Sequence, residues 1–316
     1  MSHCTANKKA ASAFVRRNSI PTTGAVAKAL FNSAIGIDVH HDILVCAYQY
    51  CNRESDEITT EVCSFGTTAS ELAKFTDWCR NHHPEQILME STGVLWFSPY
   101  EALESVGFTN RQLSLINARD FKAIVGRKSD KQDAERLALY ARIGNVRSSF
   151  VPAKCFREMR AVSRLLSKTT DEQSRARSRY LKTLNFIGCR TSSVFSDVRG
   201  KAATAILEVL AEGTREQLID AIKIHGRRLR KSAAEILDAL DFAVSPAMAM
   251  QLRIQKQHME ALSQTCEELY ALLKVMQANY QPWINRLMTV PGIKERAARV
   301  IFAEVTNDLS SFPDAA

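Results

Sequence analysis

The sequence predicts an α/β domain followed by an all-helical region. Between positions 34 and 66 apolar residues alternate with polar ones, as in half-buried strands, and helix-spaced segments then alternate with further strand signals. From Val151 onwards the strand signals disappear and the helical spacing continues. The 316 residues, 46% of them hydrophobic, suffice for about two or three domains. We therefore place the α/β domain at 34–150.

The elements of the α/β domain follow one another in order. The stretch AIGIDVHHDILVCAYQY, which starts at Ala34, predicts a strand, a polar turn and a returning strand. A third strand is predicted at EVCSFG, and a short buried strand at QILMES. Helical spacing is present in TASELAKFTDWCRNH, in FSPYEALESVGF, which ends near Gly107, and in SDKQDAERLALYARIG, which ends at Gly144.

Four carboxylates of this domain stand out by position. Asp38 lies inside the first strand, where a charge is costly unless it has a partner. Glu90 ends a strand, and Asp130 and Asp133 share a helix face because they are three residues apart. Ser129 is also a good N-cap, so capping is the alternative explanation for the helical pair. The order strand Asp, strand-end Glu and helical Asp-x-x-Asp resembles an RNase H-like site for one or two Mg²⁺ ions.

Basic residues flank the two helical aspartates. Arg127, Lys128 and Lys131 are candidate nucleic-acid contacts, because cations there would steer phosphates toward a metal. The formal net charge of +8 and the sequence pI of about 9.1 agree with a polyanionic partner.

The helical part begins with a basic linker region, 151–245. Between Lys154 and Arg190 ten lysines and arginines stand against three acids. Such an excess favours a helix that lies along phosphates over a merely solvated face. The candidate nucleic-acid contacts of this region are Arg175, Arg177, Arg179 and Lys182.

A heptad pattern follows at 246–283. The residues that recur at intervals of seven are Leu252, Met259, Cys266, Leu273 and Tyr280. This pattern predicts a coiled-coil helix that joins copies of the chain into a homo-oligomer, a dimer or a tetramer, or that pairs in antiparallel fashion. The alternative is an amphipathic helix packed on its own domain.

The last segment, 284–316, contains LMTVPGIKERAARVIFAEV. A Pro-Gly turn followed by a helix resembles a helix-hairpin-helix, in which backbone N–H groups at a helix N-terminus face a phosphate. Gly292 and Lys294 are the candidate contacts, although a second glycine is usual at the position of Lys294.

The N-terminal segment 1–33 carries five lysines and arginines and no acid. This composition predicts a disordered basic arm that contacts nucleic acid, with a transit peptide as the alternative. The eight cysteines form no C-x-x-C pair and are expected to be reduced thiols without structural zinc. No apolar run reaches the roughly 18 residues of a membrane helix. We therefore expect a cytoplasmic, nucleoid-associated protein with no membrane partner.

Five motifs in a fixed order resemble those of one family. GIDVHHDILV, MESTGVLW, GRKSDKQDAERLA, SFVP and SVFSDVRGKAATAILEVLAEG are similar to segments of the IS110 family of bacterial insertion-sequence transposases, which includes Piv-type invertases and bridge-RNA-guided recombinases. The resemblance runs from about Ala34 to the last residue. It implies a RuvC-like DEDD domain, a helical and coiled-coil middle, and a C-terminal transposase domain that begins at the TVPGI segment.

The resemblance also implies chemistry and partners. Asp38, Glu90, Asp130 and Asp133 would be the DEDD set, which binds Mg²⁺ and takes part in catalysis. A serine of the C-terminal domain would attack a DNA phosphate and form a covalent link. A structured guide RNA would pair with the DNA, and the protein would act as a dimer of dimers.

The nucleophilic serine is expected in a glycine-rich stretch downstream of the PGI helix. Ser310 and Ser311 lack that glycine context, so no nucleophile is assigned. The expectation is a C-terminally truncated transposase, without recombinase activity if Ala316 is the true C-terminus. Two alternatives stay open: a RuvC-like metal-dependent nuclease that uses water, and a non-catalytic nucleic-acid-binding remnant.

Overall fold

The structure of the chain is a computed structural model. The described residues are 14–18, 29–91, 93–117, 130–144, 148–196, 200–226, 229, 231–242 and 244–307. The chain divides into two compact units: unit 1, Met1–Pro152, and unit 2, Ala153–Ala316. Each unit buries apolar cores of its own.

Unit 1 is built on a six-stranded mixed sheet with the strand order β1-β4-β3-β2-β5-β6. The strands are β1 (Phe14–Asn18), β2 (Ser33–Val39), β3 (Ile43–Cys51), β4 (Ile58–Gly66), β5 (Gln86–Ser91) and β6 (Leu113–Asn117). β2, β3 and β4 form an antiparallel meander, whereas β5 runs parallel to β2, and β6 parallel to β5. With the helices that cover it, this mixed sheet confirms the predicted α/β class.

Helices cover both faces of the sheet. α1 (Ala69–His82) and α2 (Phe97–Ser105) pack on one face, in a core that contains Ile37 and Met89. α3 (Asp130–Ile143) packs on the other face, in a core that contains Leu88 and Leu137. The faces separate in this way because successive strand residues point to opposite sides of the sheet.

Two of the strands are not predicted by the sequence pattern. β6 has only five residues, too few for a clear alternation. β1 lies in the segment 1–33, where a disordered arm is expected, and it pairs antiparallel with β4. The expectation of disorder is therefore wrong for these five residues. The edge of β4 offers partners for their backbone N–H and C=O groups.

Among the described residues of unit 2, every regular secondary-structure element is a helix. Its helices are α4 (Lys154–Ile187), α5 (Thr191–Val194), α6 (Lys201–Glu212), α7 (Arg215–His225), α8 (Ala233–Leu240), α9 (Pro246–Met276), α10 (Gln281–Met288) and α11 (Glu295–Val305). Its described residues contain no strand, in agreement with the loss of strand signals after Val151. In the part of the chain that the structure describes, no helix is both long and apolar enough to cross a membrane.

The two longest helices of unit 2 lie side by side in antiparallel directions. Near the end of α4, Thr183 accepts a hydrogen bond of 3.1 Å from the side-chain amide of Gln255, which lies in the first half of α9. Further back along α4, the hydroxyl of Thr170 is 3.8 Å from the sulfur of Cys266. Leu252 and Cys266, both at heptad positions, are buried in cores to which α4 contributes.

This packing is antiparallel and lies within one unit, so it does not support the heptad pattern as a contact between copies of the chain. α9 is an amphipathic helix packed on its own unit, with α4 as the antiparallel partner. It ends at Met276, before a short 3₁₀ helix at Ala278–Tyr280, and not at position 283 as expected. Because α4 already covers the heptad face, a homo-oligomer would need another surface.

Candidate metal centre

Two carboxylates meet at the ends of neighbouring parallel strands. Asp38 is the second-last residue of β2, and Glu90 is the second-last residue of β5. Ile37 pairs with Met89 in the parallel register, so Asp38 and Glu90 follow at the next position and point to the same face. Their relative exposures are only 7% and 6%. The strands therefore bring two acidic side chains to one spot that is largely closed to water.

A glycine lets α3 lie directly on this face of the sheet. A Cβ atom at Gly36 would lie 2.2 Å from the carbonyl oxygen of Ala134 and 2.2 Å from the backbone nitrogen of Ala138. Only a residue without a side chain fits so close to the helix backbone. This contact brings the first turn of α3, which begins at Asp130, over the end of β2 that carries Asp38.

His40 connects the strand carboxylate with the helix carboxylate. Its Nε2 atom lies 3.1 Å from Oδ2 of Asp38 and 3.8 Å from Oδ2 of Asp130. One possible ligand atom from each of these three residues lies within 4.8 Å of the others, a spacing that suits a single cation. No motif in the sequence singles out His40. Its position two residues after Asp38, on the same side of an extended chain, is the signal that could have found it.

Asp133 lies one helical turn after Asp130, and its side chain is half-buried. Nη1 of Arg136 is 3.6 Å from Oδ1 of Asp133 within the same helix. Arg136 therefore offsets part of the negative charge that the first turn of α3 brings to the sheet.

The acidic groups of the centre influence one another. Burial is the main reason why the pKa of Asp38 is raised from its usual 3.8 to about 6. His40 opposes this rise, whereas the neighbouring carboxylates add to it: Glu90, Asp130 and Asp133. Each of the other three predicted carboxylates therefore influences Asp38, although only Asp130 shares the close cluster of Asp38 and His40. The mutual repulsion of the carboxylates costs energy that a divalent cation would offset.

The donor set indicates which cation fits. Carboxylate oxygens are the ligands that Mg²⁺ and Mn²⁺ prefer, and an imidazole nitrogen beside them is compatible with Mn²⁺ as well. Parallel strands extend the antiparallel meander, and acids at the strand ends lie under the start of a helix. This arrangement defines an RNase H-like α/β domain with a candidate metal centre.

Comparison with known families carries the identification further. Residues 35–188 match the family model of the DEDD transposase domain of IS110 type, described as a transposase. This match supports an IS110-type transposase domain at residues 35–188, as the motifs predict, and that family implies DNA transposition and recombination. The matched segment contains the strands and helices of the metal centre and the whole of α4. No curated protein matches the chain.

The basic residues predicted beside the centre are described only in part. Arg127 and Lys128, together with the predicted N-cap Ser129, lie outside the described residues. Lys131 follows Asp130 in the first turn of α3, and its side chain is exposed. It therefore adds one exposed cation next to Asp130 in the chain.

The four candidate contacts on α4 differ in their surroundings. Arg175, Arg179 and Lys182 are exposed. Arg177 is half-buried, and its Nη2 donates a hydrogen bond of 3.0 Å to the hydroxyl of Thr204 on α6. Arg177 therefore connects two helices of unit 2, unlike the other three.

The turn between α10 and α11 has the form that the sequence predicts. Gly292 has a φ of +88°, which favours glycine, and Lys294 is the N-cap residue of α11. Both residues are exposed. Ser310 and Ser311 lie outside the described residues.

Proposed function

We propose that the four carboxylates bind Mg²⁺ and that the chain uses this centre to cut and join DNA strands as a transposase. The observation that supports the proposal most is geometric: Asp38, His40 and Asp130 each offer a ligand atom, and these atoms lie within 4.8 Å of one another. Two of the carboxylates, Asp38 and Glu90, are buried, where folding stability alone would favour neutral or apolar groups. Such an arrangement is typical of a site that a cation completes.

The position of each side chain suggests its role. Asp38 and Glu90 would be the fixed ligands, because paired strands hold their backbones. Asp130 and Asp133 would complete the set from α3. His40 would orient Asp38 through their hydrogen bond of 3.1 Å. A bound divalent cation neutralises charge on a phosphate and favours deprotonation of the attacking hydroxyl group.

Metal binding tests the centre directly. The double variant Asp38→Asn with Glu90→Gln should bind Mg²⁺ or Mn²⁺ at least about 100-fold more weakly, since loss of supporting groups alone costs 10- to 100-fold. Isothermal titration calorimetry measures the affinity, and circular dichroism shows whether the fold is kept.

A second double variant is the matched control. Asp77→Asn with Glu54→Gln removes two exposed carboxylates of unit 1 and changes the net charge by the same amount. We expect it to bind the metal as the unchanged protein does. An equal loss of affinity in both double variants would contradict a specific centre.

The proposal has two further parts, which concern a guide RNA and the oligomeric state. We propose that DNA is recognised together with a structured guide RNA, and that the active species is a homo-oligomer. The support is the exposed cations of α4 and the turn at Gly292 and Lys294, which together offer more basic surface than the metal centre needs. Light scattering of the chain with and without RNA tests the oligomer.

A metal-dependent nuclease is the second candidate, because the carboxylate cluster is assembled entirely within unit 1. Such an enzyme activates water and releases nicked strands without a protein–DNA link. Labelled branched DNA incubated with Mg²⁺ and separated on a denaturing gel distinguishes the two functions. A covalent protein–DNA product supports the transposase, whereas nicked strands without that product support the nuclease.

A further inference from the structure

The exposed side of α4 carries a feature that the metal centre does not explain. Arg175, Arg179, Lys182 and Phe186 recur at intervals of four, three and four residues, so they form one stripe along the helix. All four side chains are exposed, and that of Phe186 is 81% exposed. The opposite side of α4 is buried in the cores of unit 2. We call this set of four residues the basic stripe.

The charge of the basic stripe is not cancelled nearby. Among the described residues, no ion pair involves Arg175, Arg179 or Lys182. The acids Asp171 and Glu172 lie one turn before Arg175 and mark the N-terminal limit of the stripe. At about 1.5 Å per residue, Arg175 and Lys182 are about 10 Å apart along the helix axis. This length suits a short run of phosphates in a nucleic-acid strand.

The stripe leads to an open cleft at the C-terminal end of α4. Gly188, with a φ of +108°, ends the helix. A Cβ atom at this position would lie 2.8 Å from the ring of Phe242. The cleft has a volume of about 490 Å³. The side chains that line it supply amide, hydroxyl, guanidinium and aromatic groups: Asn185, Arg190, Ser192, Ser193 and Phe242. Within the described residues, no carboxylate lines it.

We propose that the basic stripe and this cleft bind an unpaired segment of nucleic acid, an inference that rests on the proposed role of the α4 cations in nucleic-acid recognition. Phosphates lie along Arg175, Arg179 and Lys182, one base stacks on Phe186, and the next base enters the cleft beside Phe242. A single strand exposes both its phosphates and the faces of its bases, whereas a duplex hides the bases. The site is separate from the acidic centre and needs no metal.

The aromatic groups favour this ligand over an acidic peptide. Carboxylates of a peptide would satisfy the three cations, but they leave the exposed ring of Phe186 without a flat partner. Stacking on an aromatic ring tolerates any base, because every base has a π face. An acidic peptide therefore serves as a competing ligand in the test.

Binding of labelled single-stranded oligonucleotides, followed by fluorescence anisotropy in EDTA, tests the proposal. EDTA removes divalent cations, so the outcome does not depend on the proposed metal centre. The double variant Arg179→Glu with Lys182→Glu should lower the affinity at least about tenfold, and should reduce the slope of log affinity against log salt by about 1.4, at about 0.7 per phosphate contact. Phe186→Ala should weaken binding about tenfold and leave the slope unchanged.

Lys223→Glu with Lys274→Glu is the matched control, since it reverses two exposed cations elsewhere in unit 2. It should change the affinity much less than the stripe variant. Tighter binding of single-stranded RNA or single-stranded DNA than of duplex supports the proposal and identifies the strand. Equal losses in the two double variants, an unchanged affinity in Phe186→Ala, or equal binding of duplex or polyglutamate would overturn it.

Discussion

The acidic centre of unit 1 and the basic stripe of unit 2 both gather like charges, but in opposite ways. Asp38 and Glu90 are buried side by side, whereas Arg179 and Lys182 project from an exposed helix face. Like charges that are buried repel strongly, and exposed ones are screened by water and salt. The burial of like charges in the acidic centre therefore opposes folding, and a bound cation would offset that cost. The basic stripe costs little stability, whether or not a polyanion is present.

The largest effect is expected from a change at the close contact between β2 and α3, which brings the acidic groups together. Gly36→Ala would place a Cβ 2.2 Å from two backbone atoms of α3. The helix would have to move away from β2, so we expect a loss of about 3 kcal/mol in the free energy of unfolding. The same movement would separate Asp130 from Asp38 and weaken metal binding. Urea unfolding and calorimetry measure the two effects.

Gly66→Ala is the matched control for this substitution. A Cβ at Gly66 meets only the flexible side chain of Glu71, at 3.0 Å. The side chain can turn away, so the stability should change by less than about 1 kcal/mol. If both glycine variants lost equal stability, the close approach of α3 would not be the cause.

The next effect comes from the buried charge itself. Asp38→Asn removes a carboxylate whose pKa is raised to about 6, mainly by burial. In metal-free buffer at pH 7.5 the variant should be about 2 kcal/mol more stable than the unchanged protein. This gain is smaller than the roughly 3 kcal/mol that the pKa rise alone implies, because the amide hydrogen-bonds more weakly to His40.

The pH dependence of this gain has a definite sign. The folded protein holds the proton of Asp38 up to about pH 6, whereas the unfolded chain releases it near 3.8. Asp38 therefore makes folding less favourable as the pH rises from about 4 to 6. The advantage of Asp38→Asn should shrink when urea unfolding is repeated at pH 4.5. An advantage that grows toward low pH would contradict the assignment.

The smallest effect is expected for an exposed ion pair of unit 2. Nε and Nη2 of Arg164 donate hydrogen bonds of 2.7 and 2.8 Å to the two carboxylate oxygens of Glu304. These bonds lower the pKa of Glu304, so their contribution is present at neutral pH and lost as the carboxylate is protonated in acid. Glu304→Gln should cost about 0.5 to 1 kcal/mol in urea unfolding at pH 7. Glu267→Gln, an exposed glutamate on α9, should cost nothing measurable.

Much of unit 1 could be predicted because its pattern is local. Alternation specifies β2 and β3, and the charge of Asp38 inside an apolar strand already indicates a site. The sequence signal for His40 is weaker than that for Asp38. His40 follows the end of a strand, where a polar residue needs no explanation, and only the approach of α3 gives it a second carboxylate.

Unit 2 shows where sequence periodicity stops being informative. The heptad at Leu252 and Cys266 predicts a seam along α9 but not the helix that covers it. The partner lies 72 to 96 residues earlier in the chain, as the contacts from Gln255 to Thr183 and from Cys266 to Thr170 show. Arg177 is a similar case. Its charge alone does not tell that Thr204, 27 residues away, accepts its hydrogen bond.

The short strand β1 has a consequence for the behaviour of the protein at high concentration. It pairs with five residues of β4, which otherwise would present an unpaired edge nine residues long. An open edge of that length is a template for strands of other molecules and hence for aggregation. Cleavage of the chain between β1 and β2 would therefore threaten solubility before it affected the metal centre.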